Sequence, residues 1–138
     1  MAPCLKHMTV AALLALASPA TAAENAAPHP SGPPLSTGFK FTEDNGADLY
    51  TAVCQGCHMP DGKGAIGAGA YPPLAGDPNL AAAGNPVSVV VNGLRAMPPV
   101  GFMMSDEQVA AVVNYVRTHF GNNYPDAVKP EDVKVLRH

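Results

Sequence analysis

The sequence predicts an all-α protein, a few short helices gathered around something other than their own side chains. Three observations carry this. Two segments, near residues 42–54 and 105–120, have helix caps and apolar stripes, whereas no run reads as a parallel strand. The stretch between them is long and rich in glycine and proline. Finally, roughly eighty residues separate Phe39 from Phe120, and the chain has no tryptophan. A core that small rarely stands without a disulfide, a metal or another staple.

At 138 residues the chain is expected to hold one domain. Residues 1–22 read as a cleaved export signal: Lys6 and His7 lead, an apolar run follows from Met8 to Ala17, and small residues end it. Ala20 and Ala22 fit the cleavage pattern, which places the cut after Ala22, with Ala23 as second choice. The alternative is an uncleaved anchor, but the apolar run is too short to span a membrane. Cys4 leaves with the signal. The expected product is therefore periplasmic, with no membrane span after cleavage.

Removal of Lys6 leaves 7 basic against 11 acidic side chains. That balance argues against nucleic acid, which calls for a basic stripe, and against docking through a lysine patch. Export exposes Cys54 and Cys57 to an oxidising compartment, where a disulfide is their bland fate.

Residues 23–40 hold four prolines and little apolar content, so they read as a flexible lead-in. His29 belongs to that linker. Residues 41–121 form the expected domain. Its first helix spans residues 42–54, capped by Asp44 or Asn45, with Leu49, Tyr50 and Val53 on one face. Gly46 shares the side of Tyr50 and permits another element to approach closely. Residues 61–78 form a long loop of the kind that is usually functional or disordered. Residues 85–93 read as a short helix with Asn85 as cap, Pro86 first and Gly93 as stop, although the valines allow a strand.

The last long helix has the clearest signature. Ser105 and Gln108 make a capping box, Met104 staples to Val109, and Val109, Val112, Val113, Val116 and Phe120 form an apolar stripe that Gly121 ends. His119 is placed to meet the helix dipole. In the tail, residues 122–138, a short helix is expected over 130–137 with Val133 and Leu136 as its apolar face.

The strongest local signal is "CQGCH", Cys54 to His58. Two thiols one helical turn apart can reach one edge of a porphyrin, and the next residue offers an imidazole to the iron. The pattern reads as covalent haem attachment. A redox dithiol wants a βαβ setting that the chain lacks. A tetrahedral zinc site wants a second ligand pair, whereas only His29, His119 or His138 remain. For the opposite face of a haem the downstream candidates are Met97, Met103, Met104 and His119. Met97 is favoured over Met103. It stands 39 residues past His58, enough chain to wrap the haem edge, and Pro98 and Pro99 stiffen its backbone. Met103 and Met104 read as core filler, and Met59 is too near His58 to reach the far side.

The residues "CQGCH", "YPPLAG" (71–76), "AMPPVG" (96–101) and "MSDEQVAAVVNYVRT" (104–118) occur in that order. Over residues 46–121 the chain thereby resembles the class I monohaem c-type cytochromes. The resemblance implies the small cytochrome c fold, with long Gly/Pro-rich loops and helices packed around one covalently bound haem c. It implies thioethers at Cys54 and Cys57, His58 and Met97 as iron ligands, and Pro72 as the proline whose carbonyl holds the His58 ring. It also implies that the Gly46–Tyr50 face crosses the last helix near Tyr115. "YPPLAG", "MPPVG", "NYVRTHFGN" and "EDVKVLR" further resemble cytochrome subunits and partners of periplasmic dehydrogenases, including p-cresol-methylhydroxylase-like flavocytochromes and the cytochromes of alcohol and aldehyde dehydrogenases. The expected function is electron transfer rather than catalysis. The donor would be a flavin- or quinone-dependent dehydrogenase and the acceptor a further cytochrome or an oxidase in the respiratory chain. Val100, Phe102 and Met103 would rim the docking edge. The competing expectation is a peroxidase-like enzyme or sensor with an open iron position.

Overall fold

The computed structural model describes residues 40–67 and 69–137. The export signal, His29, His138 and all of the lead-in except Lys40 lie outside the described residues.

Asn45, rather than Asp44, caps the first helix: its Oδ1 accepts the Asp48 N–H at 2.9 Å at the start of α1 (Gly46–Leu49). The helix does not end at Cys54 as expected. The Gln55 N–H donates to the Tyr50 carbonyl, five residues back, so a π-helical turn over Tyr50–Cys54 leads into α2 (Gln55–His58). A π turn inserts an extra residue and re-aims the chain beyond it. Periodicity in so short a segment cannot reveal it. Met59 then leaves the helix at φ 64°.

The glycine-rich loop is shorter on structure than on constraint. A two-residue antiparallel ladder pairs β1 (Ala65–Ile66) with β2 (Ala70–Tyr71), and a 3-10 turn, Pro78–Leu80, is capped by Asp77. The segment at 85–93 is helical, as α3 (Gly84–Asn92). It starts earlier than expected. Ala83 holds the cap position without a side-chain bond, while the Asn85 amide donates to the Asn79 carbonyl at 3.0 Å. Gly93 stops the helix at φ 75°.

α4 (Asp106–Thr118) has the expected capping box in both arms: Gln108 N–H to Ser105 Oγ at 3.2 Å, and Ser105 N–H to Gln108 Oε1 at 2.8 Å. Met104, Val109, Val112, Val113 and Val116 are buried. Phe120 is not on this stripe. The His119 Nδ1–H donates to the Tyr115 carbonyl at 2.9 Å, the chain becomes extended, and Phe120 takes φ 58°. Its ring meets that of Tyr50 at 4.8 Å.

α1 crosses α4 at Gly46. A Cβ there would stand 2.6 Å from Tyr115 Cβ and collide with the Ala111 carbonyl. α5 (Pro130–Leu136) packs against α3 and α4, with Val133 fully buried. Arg117 holds this side together from a fully buried position. Its Nε donates to the Leu80 carbonyl at 2.9 Å and its Nη2 to the Ala81 carbonyl at 3.1 Å. The same guanidinium meets both carboxylate oxygens and the backbone carbonyl of Asp126.

Candidate functional site

The helices enclose a cavity of about 1370 Å³. Cys54, Cys57 and His58 line it from the first helix, and Met97 lines it from the loop after α3. Much of the remaining wall is apolar, drawn from α3 and from Val112, Val113 and Val116 of α4. The same valines that make the stripe of α4 therefore also face the cavity.

His58 is 8 % exposed, and its Nδ1 lies 2.9 Å from the Pro72 carbonyl oxygen. A carbonyl only accepts, so Nδ1 carries a proton, and it is Nε2 of the neutral ring that can offer a lone pair to a metal. The loop is folded to maintain this contact. Gly64 N–H donates to the His58 carbonyl at 3.0 Å, and Leu74 N–H and Ala75 N–H share the Gly62 carbonyl at 2.7 and 2.9 Å. Gly64 has φ 67°, and a Cβ on it would strike the Tyr71 carbonyl and stand 2.8 Å from the Pro72 carbonyl carbon.

Cys54 and Cys57 form no disulfide with one another. Before any haem is attached, burial, reinforced by the neighbouring Cys57, pushes the Cys54 thiol up to about 12. Cys57 is exposed. Among the described residues, no three His, Cys, Asp or Glu side chains are grouped so that they could hold a metal ion.

Met97 closes a tight turn. Leu94 N–H donates to the Met97 carbonyl at 3.1 Å and Met97 N–H to the Leu94 carbonyl at 3.0 Å, with Arg95 at φ 53°. Met104 is instead buried in the core, and neither it nor Met103 lines the cavity. Met59 contributes its backbone: its carbonyl accepts the Tyr50 hydroxyl proton at 2.7 Å. His119 stacks on Tyr115 at 4.0 Å between centroids and likewise lies outside the cavity lining.

Of the expected rim, only Val100, half-buried, lines the cavity; Phe102 is exposed and Met103 half-buried, and neither is part of the lining. Ile66, at the β-ladder, is 94 % exposed, and Leu94 also stands out at the cavity mouth. Sequence reading missed these two; an isolated Ile in a glycine-rich loop was the available signal.

Two thiols one turn apart, an imidazole with a defined free nitrogen, a thioether and a largely apolar wall suit a covalently held haem. Comparison with known proteins agrees. A family model described as cytochrome C oxidase, cbb3-type, subunit III matches residues 42–116. The chain belongs to this family of cytochrome c domains. The cytochrome is 36% identical over 123 residues to cytochrome c-552 of Thermus thermophilus, covering 75% of this chain and 81% of that one. It is 39% identical over 106 residues to the cytochrome c subunit of a quinone alcohol dehydrogenase from Gluconacetobacter polyoxogenes, covering 67% of this chain and 22% of the relative. A fructose dehydrogenase cytochrome subunit of Gluconobacter japonicus is 36% identical over 118 residues, 74% and 23% of the two chains. The cytochrome thus spans about a quarter or less of the length of these dehydrogenase subunits. Its cofactor is covalently bound haem c with its iron. Among the described residues no helix is long and apolar enough to cross a membrane.

Proposed function

We propose that this cytochrome carries single electrons from a periplasmic dehydrogenase toward the respiratory chain, with haem attached at Cys54 and Cys57 and the iron held between His58 and Met97. The observation that carries the reading is that one apolar cavity collects these four side chains and no other methionine of the described residues. A haem held by these residues would supply one-electron chemistry, and a methionine thioether beside the imidazole in its ligand set would raise the reduction potential. The chain does the rest. The Pro72 carbonyl orients the His58 ring, and Val112, Val113 and Val116 give the cavity an apolar wall. Met97, fixed by its turn and by Pro98, fills the position that substrate would need in an enzyme. The dehydrogenase cytochrome subunits among the relatives support a flavin- or quinone-dependent donor, with a further cytochrome or an oxidase as acceptor. The export signal over residues 1–22 supports the periplasm.

Optical spectra of the purified holoprotein provide the test. Met97→Ala is expected to abolish the sulfur-to-iron charge-transfer band and to let carbon monoxide bind the reduced protein, whereas Met103→Ala leaves both as in wild type. Ready carbon monoxide binding by the wild-type protein at neutral pH would sink the carrier reading in favour of an open-iron enzyme or sensor. Haem staining after denaturing electrophoresis checks the thioethers, and Cys54→Ala with Cys57→Ala is expected to lose the stain.

A further inference from the structure

The loop that presents Met97 is tied at both ends to the last turn of α5. On the near side, Asn92, the final residue of α3, donates its side-chain amide to the Leu136 carbonyl at 3.2 Å. On the far side, Arg137 donates from Nη1 to the Gly101 carbonyl at 2.8 Å and from Nη2 to the Met104 carbonyl at 2.9 Å. Its Nε is paired with the Asp106 carboxylate, which fixes the plane of the guanidinium. Two adjacent residues of the tail thus grip both anchors of one loop.

The grip is transmitted. Gly101 is buried against α3, where a Cβ would stand 2.8 Å from Val91 Cα. Only Pro98, Pro99 and Val100 separate it from Met97. Proline fixes φ at two of these three residues, so this connection has few rotations with which to absorb a shift of Gly101. Gly93 closes the other end: a Cβ on it would meet the Met97 carbonyl at 2.8 Å. Nothing in the packing of the hydrophobic core requires an arginine at 137, whose side chain is 29 % exposed. A planar donor fork is required to hold two carbonyls and a carboxylate together.

We propose that Arg137 is a positioning residue for the distal side of the site: through Gly101 and Met104 it holds the Met97 ledge against the cavity. The inference rests on Met97 being the distal ligand. Loss of the guanidinium removes charge-assisted bonds, each worth about a tenfold factor in the equilibrium that keeps the ledge closed.

The test uses the intact holoprotein in four variants. Arg137→Ala is expected to keep covalent haem and to speed carbon monoxide binding to the reduced protein about tenfold or more. Its charge-transfer band should fade at a temperature below global unfolding. Arg137→Lys, which cannot span both carbonyls, should fall between the two. Leu49→Val lowers overall stability from a buried position far along the chain and should leave carbon monoxide binding as in wild type. If Leu49→Val speeds binding as much as Arg137→Ala, or if Arg137→Ala leaves the rate unchanged, the positioning role is overturned. Met97→Ala separates the two readings: a charge-transfer band that survives in it overturns Met97 as ligand, whatever Arg137 does.

Discussion

The Pro72 carbonyl oxygen accepts from His58 Nδ1 at 2.9 Å, and Gly64 is what keeps it there. A carbonyl that draws on the ring proton makes the imidazole a stronger donor through Nε2, which favours the oxidised metal. Gly64→Ala puts a Cβ on a backbone at φ 67° and against the Tyr71–Pro72 peptide. The displaced carbonyl weakens the bond, so the reduction potential should rise. A hydrogen bond of ordinary net strength corresponds to roughly 20–60 mV in a one-electron couple. Redox titration of the variant checks the sign; a lowered potential would refute it.

The contact between the first and last long helices depends on a missing side chain. Gly46→Ala inserts a methyl group against Ala111 and Tyr115. Overpacking of this kind costs about 1–3 kcal/mol. Guanidinium unfolding should show a lower midpoint at an unchanged slope.

Arg117 has a comparable weight at the other side of α4. Arg117→Leu leaves the Leu80, Ala81 and Asp126 carbonyls without their donor, at about 3 kcal/mol or more. The partner reports through pH. The hydrogen bond from Arg117 holds the Asp126 carboxyl below its usual value of 3.8. A lowered folded-state pKa gives stability that is present above 3.8 and lost as pH falls through the folded value. Wild type and Asp126→Asn should therefore differ at neutral pH and converge in acid. A difference that persists at the lowest pH would assign it to packing instead.

Tyr50 should shape the alkaline limb. Burial pushes its hydroxyl up to about 12, and the Met59 carbonyl accepts its proton. A raised folded-state pKa gives stability that is full below 10 and lost as pH rises through about 12. Tyr50→Phe should cost about 1 kcal/mol at neutral pH and unfold less steeply between pH 10 and 12. Parallel alkaline curves for the two proteins would exclude the titration.

What the sequence made legible was whatever is encoded by neighbours. Ser105 and Gln108, three residues apart, announced the start of α4, and Cys54, Cys57 and His58 announced the chemistry within five residues. Gly93 marked the end of α3. What escaped depends on contacts that no window contains. The π-helical turn at Tyr50–Cys54 rests on a single bond, Gln55 N–H to the Tyr50 carbonyl, that the periodicity of the segment does not mark. Phe120 fits the stripe of α4 by spacing, yet the His119 bond to Tyr115 ends the helix first. No local pattern around Arg117 or Arg137 points to what they hold. Their partners lie 9 to 37 residues away for Arg117 and 31 to 36 residues away for Arg137. The cavity itself was anticipated from the smallness of the core, and Pro72 from resemblance.

The ties at 136 and 137 also set an order of assembly. The imidazole side closes over 14 residues, from His58 to Pro72, whereas the loop bearing Met97 is locked by partners 33 to 44 residues downstream. Short closures form sooner, because the entropy of bringing ends together grows with chain length and non-local contacts slow folding. The two faces of the cavity should therefore mature in sequence, imidazole first and thioether last. During refolding of the holoprotein, an interval should exist in which added imidazole binds the unprotected face, and it should lengthen when Arg137 is replaced.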